Sequence, residues 1–204
     1  MAFKRSELLT KLRIQLNEIS AGFYLDTTLN PLIQDACWDF ALKTECCEKT
    51  DATKSTAANT RAVAAPTGCI QVKGVGIGDA GLIKILEKAI GHVGGVTKGT
   101  PRYWYFFGGN IEFDPIPNAI ALLYILYAEK ATTFATDDTT TNIPDELVHI
   151  ALRHALARCK GLKGAYAVEA GIMNSYEQDC ARIYAQFYAP DRDVLAEFKL
   201  LDSK

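Results

Sequence analysis

Three glycines in the stretch GIGDAGLIKILEKA, namely Gly76, Gly78 and Gly81, spell G-x-G-x-x-G. That spacing lets a backbone wrap a phosphate at the mouth of a helix. The preceding GCIQVKGV reads as a strand and LIKILEKA as a helix, so the chemistry on offer is dinucleotide binding. A dinucleotide site also needs a second parallel strand, and an acid about 20 residues further on for the ribose hydroxyls. Val96 to Phe107 holds neither Asp nor Glu, and the aromatic residues from Tyr103 onward read as a β-hairpin. The motif is better read as glycine-punctuated strands and turns, and no cofactor is expected.

The remaining reactive side chains assemble no centre. His149 and His154 are five residues apart, off the i, i+4 spacing of a helical metal pair, and no H-E-x-x-H occurs. They read as one surface histidine and one at a helix seam, while His92 sits in a GHVGG turn. The six cysteines include no C-x-x-C and no pair at zinc-finger spacing with histidine. Cys37, Cys159 and Cys180 occupy apolar positions of helical patterns, Cys69 starts a strand-like run, and Cys46 and Cys47 adjoin in a polar segment. Reduced thiols in such places act as small hydrophobes. No G-x-S-x-G is present, and the acids Asp137, Asp138, Asp145 and Glu146 fall in a loop and a helix start. The aromatic run RYWYFF could stack bases, but without a basic groove it reads as a hairpin face. The expectation is no enzyme, no metal and no small-molecule substrate.

These residues hang on a simple element order. Lys4 to Ser20 is amphipathic, with Leu8, Leu12, Leu16 and Ile19 on one face. A second helix is expected to open at Asn30–Pro31, a capping residue before a proline at the first helical position, and to bury Ile33, Ala36, Cys37, Phe40 and Ala41. From Glu45 to Pro66 periodicity is lost, and the stretch reads as an exposed loop with at most a short strand. Ile70, Val72, Val75 and Ile77 then alternate, with Gly74 placed where a bulge would reset the phase. Tyr103 to Phe107 and Ile111 to Phe113 flank Gly108–Gly109–Asn110, a strong hairpin signal because a tight turn needs positive φ angles. Pro115 and Pro117 end that pairing, and Asn118 to Ala128 fits either a helix or a strand, with the strand favoured. Asn142 to Glu146 has the proline and acids of a helix start. Gly161 and Gly164 close that helix. The last helix runs through Tyr166, Glu169, Ala170, Met173, Tyr176, Cys180, Ile183, Tyr184 and Phe187 to a stop at Pro190.

The expected fold class is therefore α+β: a four-helix bundle, two N-terminal and two C-terminal helices, around a central β subdomain that contains the hairpin, with an extended C-terminal tail. The segments are 1–44 and 142–189 for the helical pairs, 45–141 for the insert, and 190–204 for the tail. A chain of 204 residues with a formal charge of -2 can bury about 70% of its unfolded surface without staples. The charge offers no basic excess for holding nucleic acid. The opening residues carry charges in every turn and the apolar run Ala119 to Ala128 is too short to span a bilayer, so neither a secretory signal nor a membrane partner is expected.

Element order and local motifs together carry a resemblance. Gly99-Thr-Pro101-Arg-Tyr103-Trp104, then Gly108-Gly109-Asn110-Ile111-Glu-Phe113-Asp-Pro115-Ile-Pro117, then Ile143-Pro144-Asp145-Glu146-Leu147 and Ala155-Leu156-Ala157-Arg158, with Tyr176–Glu177 in the last helix, resemble the head–tail adaptor proteins of tailed bacteriophages. The similarity runs from about Thr28 to Ala189. Where the family often has an aromatic before the proline that opens the central strand, this chain reads Ala64-Ala65-Pro66. The resemblance implies a virion neck protein: a ring, usually of twelve copies, assembled in the host bacterial cytoplasm beneath the portal protein. Tail or neck proteins dock on such a ring, and double-stranded DNA passes through it without sequence recognition during packaging and ejection. Competing readings are a small cytosolic enzyme using Gly76 to Gly81 for a nucleotide, and a helical regulatory module that binds protein or RNA.

The tail completes the expectation. Val194, Leu195, Phe198 and Leu201 fall at i, i+1, i+4 and i+7, the pattern of a short helix laid into an apolar groove. Either these residues fold back on their own bundle or they wait for a partner groove; the resemblance implies the latter, with Asp191, Arg192 and Leu200 completing a portal-docking segment.

Overall fold

The computed structural model describes residues 2–18, 22–79, 82–89 and 95–187. The fold is α+β, with four helices and several sheets among the described residues. The chain divides into two compact units. One is helical, formed by the chain up to Cys47 and again from Lys130; the other is the β unit, Glu48–Glu129.

In the helical unit, α1 (Arg5–Leu16) starts where the Glu7 carboxylate accepts the Lys4 backbone N–H at 2.8 Å and ends on Asn17 in the left-handed region. Leu8, Leu12 and Leu16, one turn apart, are its buried stripe. Helix α2 (Asp26–Thr44) begins five residues before the proline-led start expected from Asn30–Pro31, and Pro31 lies inside it. The reason is Leu29, which is fully buried and must be helical to join Ile33, Ala36 and Phe40 on one face. Packing outweighs the backbone bond that the proline removes. Helix α3 (Val148–Leu162) is entered through a turn in which the Leu147 N–H donates to Pro144 O at 2.9 Å, so Pro144 to Glu146 precede the helix rather than form its first turn. Gly164, at φ +78°, reverses the chain into α4 (Tyr166–Phe187).

All four helices contribute to one core that includes Leu8, Leu12, Ile33, Phe40, Leu152, Ala155 and Tyr176. The connector from Lys130 also joins it through buried Ala131, Phe134 and Ile143. Gln34 clamps this connector from α2: its amide nitrogen donates to Thr132 O at 3.1 Å and its oxygen accepts the Phe134 N–H at 2.7 Å. The start of α1 is tied to the same connector by an antiparallel bridge between Lys4 and Thr140, and by Arg5, whose Nη2 lies 2.7 Å from Asp137 Oδ1.

The β unit contains β1 (Glu48–Asp51), β2 (Ala62–Ala64), β3 (Cys69–Asp79), β4 (Leu82–Ile85), β5 (Glu87–Lys88), β6 (Lys98–Gly99), β7 (Tyr103–Phe107), β8 (Asn110–Asp114), β9 (Ile116–Pro117) and β10 (Leu122–Glu129). One four-stranded sheet runs β1-β10-β3-β4 and a second β2-β8-β7-β5, while β6 and β9 form a parallel pair. Their inward residues share a core: Val72, Val75, Ile77, Leu123 and Ile125 from the first sheet meet Trp104, Ile111 and Phe113 from the second. Trp104 satisfies its ring N–H on Leu86 O at 3.2 Å, so the largest side chain of this core buries no unpaired donor. The strand expected across Asn118 to Ala128 is β10, which pairs with β3 along its whole length. The register slips between Leu126–Gly74 and Tyr127–Val72, which is the bulge that the Gly74 phase break announces. The stretch read as a loop, 45–66, holds two short strands, β1 and β2, one at the edge of each sheet.

Candidate docking surfaces

The glycine motif does not make a phosphate loop. Gly76 and Gly78 lie inside β3, where Gly76 pairs with Tyr124 on one side and Ile85 on the other. Their backbone groups are engaged in the sheet, so none is free to cradle an anion. Residues read as helical after the motif instead form β4 and β5, and Gly81 and His92 lie outside the described residues. The helical reading fails because Ile83, Ile85 and Leu86 satisfy a helical spacing as well as an extended one, and strand pairing with β3 decides between them.

The cysteines are built into the cores. Cys37, Cys46, Cys47, Cys159 and Cys180 are all buried as thiols outside any disulfide, including the adjacent pair that lies in a polar segment of the sequence. Burial pushes the Cys37 thiol up to about 12, and those of Cys159 and Cys180 up to about 11, far from thiolate chemistry at neutral pH. Among the described residues no group of three or more His, Cys, Asp or Glu is placed to hold a metal. His149 is exposed on α3 and His154 is buried one face over, so the structure does not bring them together.

One polar network lies at the seam of α2, α3 and α4. The Tyr176 hydroxyl donates to Asp39 Oδ2 at 2.7 Å, and Lys43 Nζ lies 2.9 Å from the same oxygen and 2.6 Å from Glu177 Oε1. Burial alone would push the Asp39 carboxyl up, but the Tyr176 and Lys43 hydrogen bonds outweigh it and hold the group below its ordinary value. Burial together with the Asp39 bond pushes the Tyr176 phenol far up, so it stays a donor. The arrangement ties α2 to α4 through charge-assisted hydrogen bonds.

The surface carries more apolar side chains than this core requires. At the turn from α3 to α4, Leu162 and Tyr166 are 57% and 70% exposed. The loop before α2 is fastened to the same end, since the Tyr24 hydroxyl donates to Cys159 O and Lys163 Nζ sits 5.0 Å above the Phe23 ring. Phe23 and Leu25 there are exposed too. Trp38 and Leu42, one turn apart on α2, form a second exposed pair. Contiguous apolar patches on a surface are where proteins dock.

In the β unit, Gly108 and Gly109 take φ of +56° and +78° and join β7 directly to β8, with Asn110 the first residue of β8. Phe107 beside them is exposed. The tail residues Asp191, Arg192, Val194, Leu195, Phe198, Leu200 and Leu201 lie outside the described residues.

A family model described as the SU10 adaptor protein matches residues 4–195, nearly the whole chain and both units. The chain belongs to the SU10 adaptor family. This is a family of phage head–tail adaptors, so the exposed apolar groups belong to a virion protein that contacts head and tail components. Its role in the family is structural. A search of curated proteins gave no match. No helix among the described residues is long and apolar enough to cross a membrane.

Proposed function

We propose that this SU10-family adaptor acts as a ring beneath the portal at the capsid vertex, linking head to tail and giving passage to double-stranded DNA. The family match over residues 4–195 carries the reading. The helical unit packs copy against copy as a bundle, and the β unit, Glu48–Glu129, adds a second contact. Support comes from the exposed Phe23, Leu25, Leu162 and Tyr166, which a neighbouring copy would cover. A closed cyclic ring uses one such patch per copy against a different patch of the next. Assembly takes place in the host cytoplasm, and the ring then resides in the virion neck. The role needs no catalysis, cofactor or metal.

The segment 190–204 is the portal anchor in this proposal. Val194, Leu195, Phe198 and Leu201 would lie in a portal groove, flanked by Asp191, Arg192 and Leu200. Truncation after Ala189, and separately Leu195→Asp with Phe198→Asp, should leave a folded, soluble protein that no longer enters portal complexes in co-sedimentation. Normal assembly by the truncated protein would place the docking function elsewhere.

A further inference from the structure

His154 has the environment of a proton-sensitive joint. It is 8% exposed, and its Nδ1 is buried with no hydrogen-bond partner. Its ring lies 5.5 Å, centroid to centroid, from that of Tyr176 on α4. Tyr176 cannot move aside freely, because its hydroxyl is pinned to Asp39 of α2. The titratable and charged groups around the imidazole are Asp35, Asp39 and Lys43 on α2, Arg158 on α3 and Tyr176 on α4. Asp39, the carboxylate that would stabilise an imidazolium, already accepts from Tyr176 and Lys43.

We propose that His154 is an acid-sensitive latch on the helical unit: a proton taken up there drives the ring from its seat and loosens the seam of α2, α3 and α4, while the β unit stays folded. A protonated ring would carry a donor at Nδ1 with no acceptor, buried beside the Tyr176 ring, where a charge loses its water. Burial, the largest influence, holds the imidazole below its ordinary 6.5; Asp39 opposes it, and Arg158 and Lys43 reinforce it.

Linkage sets the sign. The unfolded chain takes up this proton near 6.5 and the folded chain only at lower pH, so stability is full above 6.5 and falls as the pH drops below it. Asp39 acts in a separate window: its folded value lies below 3.8, so its contribution is lost only as the pH falls below 3.8.

The test compares wild type with His154→Phe and His154→Gln, with the exposed His149→Ala as control, by hydrogen exchange and denaturation from pH 7 to pH 5.5. The folding constant of the helical unit should fall further in wild type and His149→Ala than in either His154 variant, by up to about eightfold, the limit for one linked proton over this window. Amides of α3 and α4 should lose protection while those of β3 and β10 keep it. Should either variant fail to fold, NMR titration of the wild-type His154 ring decides, and a midpoint clearly below 6.5 is expected. Equal pH slopes in wild type and the His154 variants, uniform loss across both units, or a ring that titrates at or above 6.5 would overturn the latch.

Discussion

Gly108 and Gly109 carry the clearest residue-level requirement in the β unit. Both have positive φ, as the two-residue turn between β7 and β8 demands, and a Cβ built at either meets nothing within 4 Å. The cost of a side chain there is therefore backbone strain alone, without any clash. Replacing both by valine should destabilise the β unit by roughly 2–4 kcal/mol, because β-branched residues resist left-handed backbone. Chemical denaturation followed by Trp104 fluorescence would report it, and an unchanged midpoint would show that the turn is not held in this form. At the same scale, Asp39, Tyr176 and Lys43 show why buried polar groups persist here: each has its partner on another residue of the network, and none is desolvated without a bond in return.

Among the elements, α2 makes the most discriminating prediction. With Asp26 as its first residue, Pro31 sits in the second turn, where it withholds an N–H from the Thr27 carbonyl. Pro31→Ala should then raise the stability of the helical unit by about 1–2 kcal/mol, less than the full interior penalty because proline also restricts the unfolded chain. A helix that began at Pro31 would gain nothing from the change, so a neutral or negative shift in Tm would contradict this start. How far the elements could be read from sequence depends on how local their signals are. The β7–β8 hairpin and α4 announce themselves, one through a Gly-Gly-Asn turn between aromatic runs and the other through a sustained helical stripe. The strand β4 does not, since Ile83 and Ile85 become β only by pairing with Ile77 and its neighbours in β3. Strands β1 and β2 are also invisible locally: Glu48–Asp51 and Ala62–Ala64 have no alternation, and they exist because β10 and β8 offer edges to pair with. The buried Cys46 and Cys47 escape notice for the same reason, lying between polar residues just past the end of α2.

On the scale of the whole molecule, two compact units are threaded by a chain that leaves the helical unit after Cys47 and re-enters it at Lys130. The first and last strands of the β unit, β1 and β10, pair antiparallel, Glu48 opposite Ala128, so the excursion starts and ends side by side. An insert closed in this way can build its own core without unravelling the helical one. The functional surfaces were less legible than the fold. Family motifs such as Gly108-Gly109-Asn110-Ile111 and Ile143-Pro144-Asp145-Glu146-Leu147 report turns and helix entries, whereas the exposed apolar side chains Phe23, Leu162 and Tyr166, on which the proposed contacts rest, obey no motif. Assembly on the portal is the step on which the proposed role depends. Its most direct measurement is electron microscopy with mass determination of the purified protein mixed with the portal of its own phage. The expected result is a closed ring seated on one end of the portal, of about twelve copies as the family resemblance implies; a protein that stays apart from the portal at every concentration, or joins it without closing a ring, contradicts assembly there.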